Sequence, residues 1–133
     1  MTMPRLDHVA LRVADLDASI AFYTETIGLP FMFRELDTEH HEAFAYLEAA
    51  GGNLELLQLL DAENRPVPFS APAPAPPYCP HVALGVDDLD GMAATLSAAG
   101  VPLLAGPLEI PGRVRWAYVA DPDNNVLEFV QWL

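Results

Sequence analysis

The chain has 133 residues, 52% of them hydrophobic, and a formal net charge of −13. That length suffices for one compact domain with its own core, and no apolar run reaches the ~18 residues of a membrane span. The acidic balance argues against nucleic acid as a partner. The six basic residues are all arginine, and the absence of lysine excludes Schiff-base chemistry and a P-loop lysine.

Positive charge for a substrate must therefore come from Arg12, Arg34, Arg113, Arg115 or a bound ion. The lone Cys79 allows no internal disulfide. The N-terminal residues lack the apolar stretch of a secretory signal. A soluble cytoplasmic protein is expected, although a processed chain would read the same way.

Residues 6–13 alternate as a strand. Asp15 is placed to cap a helix running to about Ile27, with Leu16, Ile20, Tyr23 and Ile27 at helical spacing and Gly28 at its end. Segments near 30–36, 43–50 and 53–60 read as three further strands, the last two joined by a Gly51-Gly52 turn. Asn64 to Pro80 carries seven prolines, whose Ala-Pro alternation favours a stiff, extended linker. A second series follows: a strand over 80–86, a helix from Asp88 to Ala99, Gly100, and strands near 102–109, 114–120 and 125–132. The turn Asp121-Pro122-Asp123-Asn124-Asn125 joins the last two.

The two series are copies. His8-Val9-Ala10-Leu11-Arg12-Val13-Ala14-Asp15-Leu16-Asp17 recurs 73 residues later as His81-Val82-Ala83-Leu84-Gly85-Val86-Asp87-Asp88-Leu89-Asp90, with eight of ten positions identical. Leu54-Glu55-Leu56-Leu57-Gln58 recurs at the same offset as Leu127-Glu128-Phe129-Val130-Gln131. A repeat kept for packing alone would preserve apolar positions. This one also keeps a His and a Glu, 47 residues apart in each copy, inside apolar strands where an unpaired charge is costly.

Alternation puts His8, Ala10 and Arg12 on one strand face and Val9, Leu11 and Val13 on the other; His81, Ala83 and Gly85 repeat the split. Glu55 and Glu128 oppose Leu54/Leu56 and Leu127/Phe129. The apolar face should carry the helix, leaving His and Glu on the open face. The expected fold is α+β: two tandem βαβββ modules, about 5–60 and 79–133, forming a curved mixed-sheet cleft with helices outside. They are expected to make one domain over 1–133, joined by the linker 64–80. If the sheets curl together, His8, Glu55, His81 and Glu128 converge as ligands for one first-row divalent metal.

The chain resembles the vicinal oxygen chelate superfamily, which includes glyoxalase I, extradiol dioxygenases and bleomycin-resistance proteins. The resemblance is carried by Leu6 to Val13, Ser19-Ile20-Ala21-Phe22-Tyr23, Ile27-Gly28-Leu29, Leu54-Glu55-Leu56, Pro80 to Leu84, and Asp121 to Glu128. It implies one Ni, Zn, Mn or Fe ion, a small-molecule substrate that chelates through adjacent oxygens, and a homodimer. It implies proton transfer through an enediolate, with Glu55 or Glu128 as general base.

The His/Glu/His/Glu pattern is similar to glyoxalase I, which favours a lyase or isomerase. Arg12 matches a glutathione-contacting arginine of that enzyme, but Leu59 stands where an asparagine contacts glutathione, so the substrate is expected to differ. Extradiol dioxygenases would use His8, His81 and Glu128, and Tyr118 resembles part of their signature, while Asn124 departs from it. A metal-free drug-binding protein is the third reading. Phe44, Tyr46, Leu57, Trp116 and Tyr118 are candidate substrate contacts. His40 and His41 are expected to be exposed, and Cys79 to be a buried, inert thiol.

Overall fold

The structure is a computed structural model that describes residues 2–133; Met1, the first residue of the domain expected over 1–133, lies outside them. The chain divides into two compact units, the first ending at Ser70 and the second running from Ala71 to Leu133. Each unit is one βαβββ module. No helix among the described residues is long and apolar enough to cross a membrane.

In the first unit, β1 (His8–Arg12) leads into α1 (Leu16–Ala21), then β2 (Phe31–Asp37), β3 (Glu42–Leu47) and β4 (Asn53–Leu59). The sheet order is β1-β4-β3-β2, with β1 parallel to β4 and the other pairs antiparallel. The Asp15 side chain caps α1 by accepting from the Ala18 amide at 3.1 Å. The predicted helix keeps its span but not its winding, because Phe22–Thr26 form a π-helical turn. There the Thr24 hydroxyl donates to the Ile20 carbonyl at 2.7 Å, a bond to the i−4 carbonyl that bends helices. The helical stretch closes at Gly28, whose φ of 92° favours glycine.

The second unit repeats this order with β5 (Val82–Gly85), α2 (Leu89–Ala98), β6 (Ala105–Ile110), β7 (Val114–Ala120) and β8 (Val126–Trp132). Its sheet runs β5-β8-β7-β6, again with the first strand parallel to the last. Asp88 caps α2 through the Gly91 amide. β5 starts at Val82, two residues later than expected, after Pro80, which has no N–H for the ladder. His81 therefore lies just before the strand. The expectation of a buried Cys79 is corrected, because it precedes that proline and is exposed. β6 likewise begins at Ala105, beyond Pro102.

The two sheet faces differ as alternation requires. One face supplies Ala43, Ala45, Leu47, Leu54 and Leu56 to the first core, with Val13, Leu16, Tyr23 and Ile27. In the second, Ala117, Val119, Leu127 and Phe129 are buried with Leu89 and Leu96. Val9 departs from this pattern and is exposed, being on an edge strand. The proline-rich stretch is shared between the units. Pro66 bridges to Leu60 and the Val67 amide donates to Leu59 at 2.9 Å. The Ala71 amide donates to Asp123 at 2.8 Å in the second unit.

A further polar residue preserved by the repeat has a structural role. Gln58 Nε2 donates to the Ala14 carbonyl at 2.7 Å, and Gln131 Oε1 accepts from the Leu89 amide at 2.9 Å. In each module this glutamine ties the last strand to the start of the helix. Replacing Gln131 by Ala leaves a half-buried helix-start amide without this partner, and should cost about 1 kcal/mol in urea denaturation. Phe129→Ala, which empties a core position, should cost about 3–5 kcal/mol.

Candidate metal centre

The parallel register sets Ala10 directly beside Glu55 and His8 beside Asn53. His8 and Glu55 thus sit on a diagonal of the open face, with only a methyl group between their strands. His8 Nε2 lies 3.6 Å from Glu55 Oε1. The other ring nitrogen, Nδ1, is 2.8 Å from Asp7 Oδ2. A carboxylate there accepts, so Nδ1 carries the hydrogen and, in neutral imidazole, Nε2 presents a lone pair toward Glu55. Burial raises the Glu55 pKa, opposed by His8 and reinforced by the charge of Glu42.

The second unit repeats the arrangement. Ala83 pairs with Glu128, and His81 Nε2 lies 3.6 Å from Glu128 Oε1. Here Nδ1 is 2.8 Å from the Tyr78 carbonyl, which can only accept. Opposite each carboxylate, on the neighbouring strand, stands a tyrosine: Tyr46 beside Glu55 and Tyr118 beside Glu128. Their rings lie 5.2 Å from His8 and 5.4 Å from His81. Both phenols have raised pKa values, through burial first and then the neighbouring glutamate charge.

This donor set suits a divalent cation. With Nδ1–H occupied, lone pairs on nitrogen and oxygen face each other in each module, and a proton or a metal between them removes the repulsion. Two donors on one ion with bonds of ~2.0–2.2 Å sit roughly 3.0–3.4 Å apart, so the 3.6 Å spacing needs only a small side-chain adjustment. Among the described residues, no group of three or more His, Cys, Asp or Glu side chains is gathered closely enough to hold a metal ion. Each unit presents one His–Glu pair.

The predicted substrate contacts share this face. Phe44, Tyr46 and Leu57 are half-buried around Glu55, as are Trp116 and Tyr118 around Glu128. Arg12 places its guanidinium 4.6 Å from the Phe69 ring centre. His40 is exposed and pairs with Asp37 at 2.8 Å. His41 is half-buried rather than exposed, held by Asn64 at 2.7 Å.

Three neighbours were not singled out in sequence. Phe33 stacks on Tyr46 at 5.0 Å; its place in a strand next to the site strand was the available signal. Asp7 adjoins His8 in the chain, but adjacency alone does not show a ring contact. Tyr78 acts through its carbonyl, for which side-chain patterns give no signal.

Two βαβββ modules of this kind define the glyoxalase type of α+β fold. The chain belongs to the Glyoxalase/Bleomycin resistance protein/Dioxygenase superfamily, whose profile matches residues 5–129. It is 34% identical to a probable lactoylglutathione lyase of Vibrio cholerae, over 98% of this chain and 93% of that protein. It is 31% identical to the lactoylglutathione lyase of Haemophilus influenzae, over 93% and 90%. Among solved structures, the trypanothione-dependent glyoxalase I of Leishmania major aligns with a TM-score of 0.70 and 26% identity, over 97% and 87%.

The raised Glu55 pKa has a consequence for stability. A carboxyl group with a folded pKa above its unfolded one contributes stability below the unfolded pKa and loses it as pH rises through the folded pKa. Metal-free Glu55→Gln, neutral throughout, should therefore melt above the metal-free parent at pH ~7, and the difference should close toward pH ~4. Thermal melts in chelator across that range check this.

Proposed function

We propose that the chain is a divalent-metal-dependent, glyoxalase-like lyase or isomerase. In this reading the two modules form one domain, and His8, Glu55, His81 and Glu128 hold one ion between them. The observation that carries it is the duplicated pair, an imidazole Nε2 set 3.6 Å from a carboxylate oxygen in each module with Nδ1 already engaged. The lactoylglutathione lyases at 31–34% identity support the same reaction class.

A bound ion would act as a Lewis acid on adjacent oxygens of the substrate. The protein's own part is proton transfer. One glutamate takes the proton from the carbon next to the carbonyl and returns it to the neighbouring carbon, so that the product is an isomer of the substrate. Glu55 and Glu128 both have the position for this. Phe44, Tyr46, Leu57, Trp116 and Tyr118 would line the apolar part of the substrate, and Arg12 would meet a carboxylate. Leu59 offers no hydrogen bond to a peptide-like group, which favours a hemithioacetal or hydroxycarbonyl compound other than the glutathione adduct. A homodimer belongs to the same reading.

An Fe(II) extradiol dioxygenase is the second reading, favoured by Tyr118 standing beside His81. Elemental analysis of protein purified without chelator separates the two. Under the first, bound Ni, Zn, Mn or Fe is lost from both Glu55→Gln and His81→Ala. Retention in Glu55→Gln with loss in His81→Ala favours the dioxygenase. No metal after reconstitution contradicts both and leaves a binding protein.

A further inference from the structure

The repeat breaks at one position beside the site. Asp7 precedes His8, but 73 residues on, Pro80 precedes His81, and proline offers no side-chain acceptor. The second module nevertheless supplies one. Tyr78 adopts a left-handed backbone conformation, φ 60°, and its carbonyl stands 2.8 Å from His81 Nδ1, matching the Asp7 carboxylate at 2.8 Å from His8 Nδ1. Two unrelated acceptors thus meet the same nitrogen at the same distance. Packing does not require this, since both contacts are at exposed positions.

Asp7 is also held from the other side. Its carbonyl accepts from the Asn53 amide at 2.9 Å. The preceding Leu6 lies against Gly52, where an added Cβ would come within 3.0 Å of the leucine side chain. The β3–β4 turn thereby fixes the residue that orients His8, and the strand leaving that turn carries Glu55.

The geometry points to Asp7 as a positioning residue that locks His8 in the Nδ1–H form, with Nε2 free to bind a cation, while the Tyr78 carbonyl does the same for His81. This rests on the metal-binding reading above. Groups that orient a ligating imidazole typically change metal affinity 10–100-fold when removed. Asp7 is solvent-exposed, which places its effect at the lower end.

The test compares the parent with Asp7→Ala and Asp7→Asn. Nitrogen-15 NMR of metal-free protein at about pH 8 reads the tautomer of each histidine. Zinc competition against a chromophoric chelator reads affinity. Asp7→Ala should shift the His8 tautomer toward Nε2–H, leave His81 unchanged, and weaken zinc about tenfold. Asp7→Asn, which keeps an acceptor oxygen, should fall between. An unchanged His8 tautomer in Asp7→Ala overturns the proposal whether or not the protein binds zinc. A tautomer shift with unchanged zinc affinity overturns the positioning role in metal binding. If the parent binds no zinc, the metal-binding reading fails, and the tautomer measurement still decides whether Asp7 orients His8.

Discussion

Placing an imidazole and a carboxylate on a β-sheet face, nitrogen and oxygen 3.6 Å apart and the second imidazole nitrogen already engaged, creates a demand for positive charge. A proton meets it within one module, and under the proposed function a divalent metal would meet it as well. Much of the local architecture follows from this demand. A parallel first strand brings His onto the diagonal from Glu. Alanine beside each Glu keeps the space open, and the apolar residues are committed to the opposite face, where the helix covers them. A tyrosine across from each Glu gives the pair an aromatic wall.

The repeat made most of this legible. Two separate matches at one offset identify the modules, and strand alternation assigns His8, Glu55 and Glu128 to the face away from the apolar core, with His81 just ahead of β5 beside Glu128. Pairing of His8 with Glu55 followed less directly, because it depends on the register of a parallel ladder between strands far apart in sequence. Local chemistry set the misses. The last turn of the first helix is π-helical, with Thr24 bonded back to Ile20. Pro80 delays β5, and so exposes Cys79. His41 was read from the polarity of its turn, while Asn64, 23 residues away, covers it.

The modules are similar in what they present and different in how they support it. Gln58 donates to a carbonyl, whereas Gln131 accepts from an amide; each secures the same joint between last strand and helix. His8 leans on a charged side chain and His81 on a backbone carbonyl. Divergence has therefore run through the supporting contacts while the presented pair kept its spacing. That pattern is expected when the pair itself is what each module contributes to function.

Under the proposed function the two pairs serve one ion. X-ray absorption at the metal edge of the loaded protein, combined with native mass spectrometry, tests it directly. The expected result is one ion per four-residue site with two imidazoles in its coordination shell, and complete loss of that ion from either His8→Ala or His81→Ala. Two ions, each with a single imidazole and each lost from only one of these variants, would contradict it.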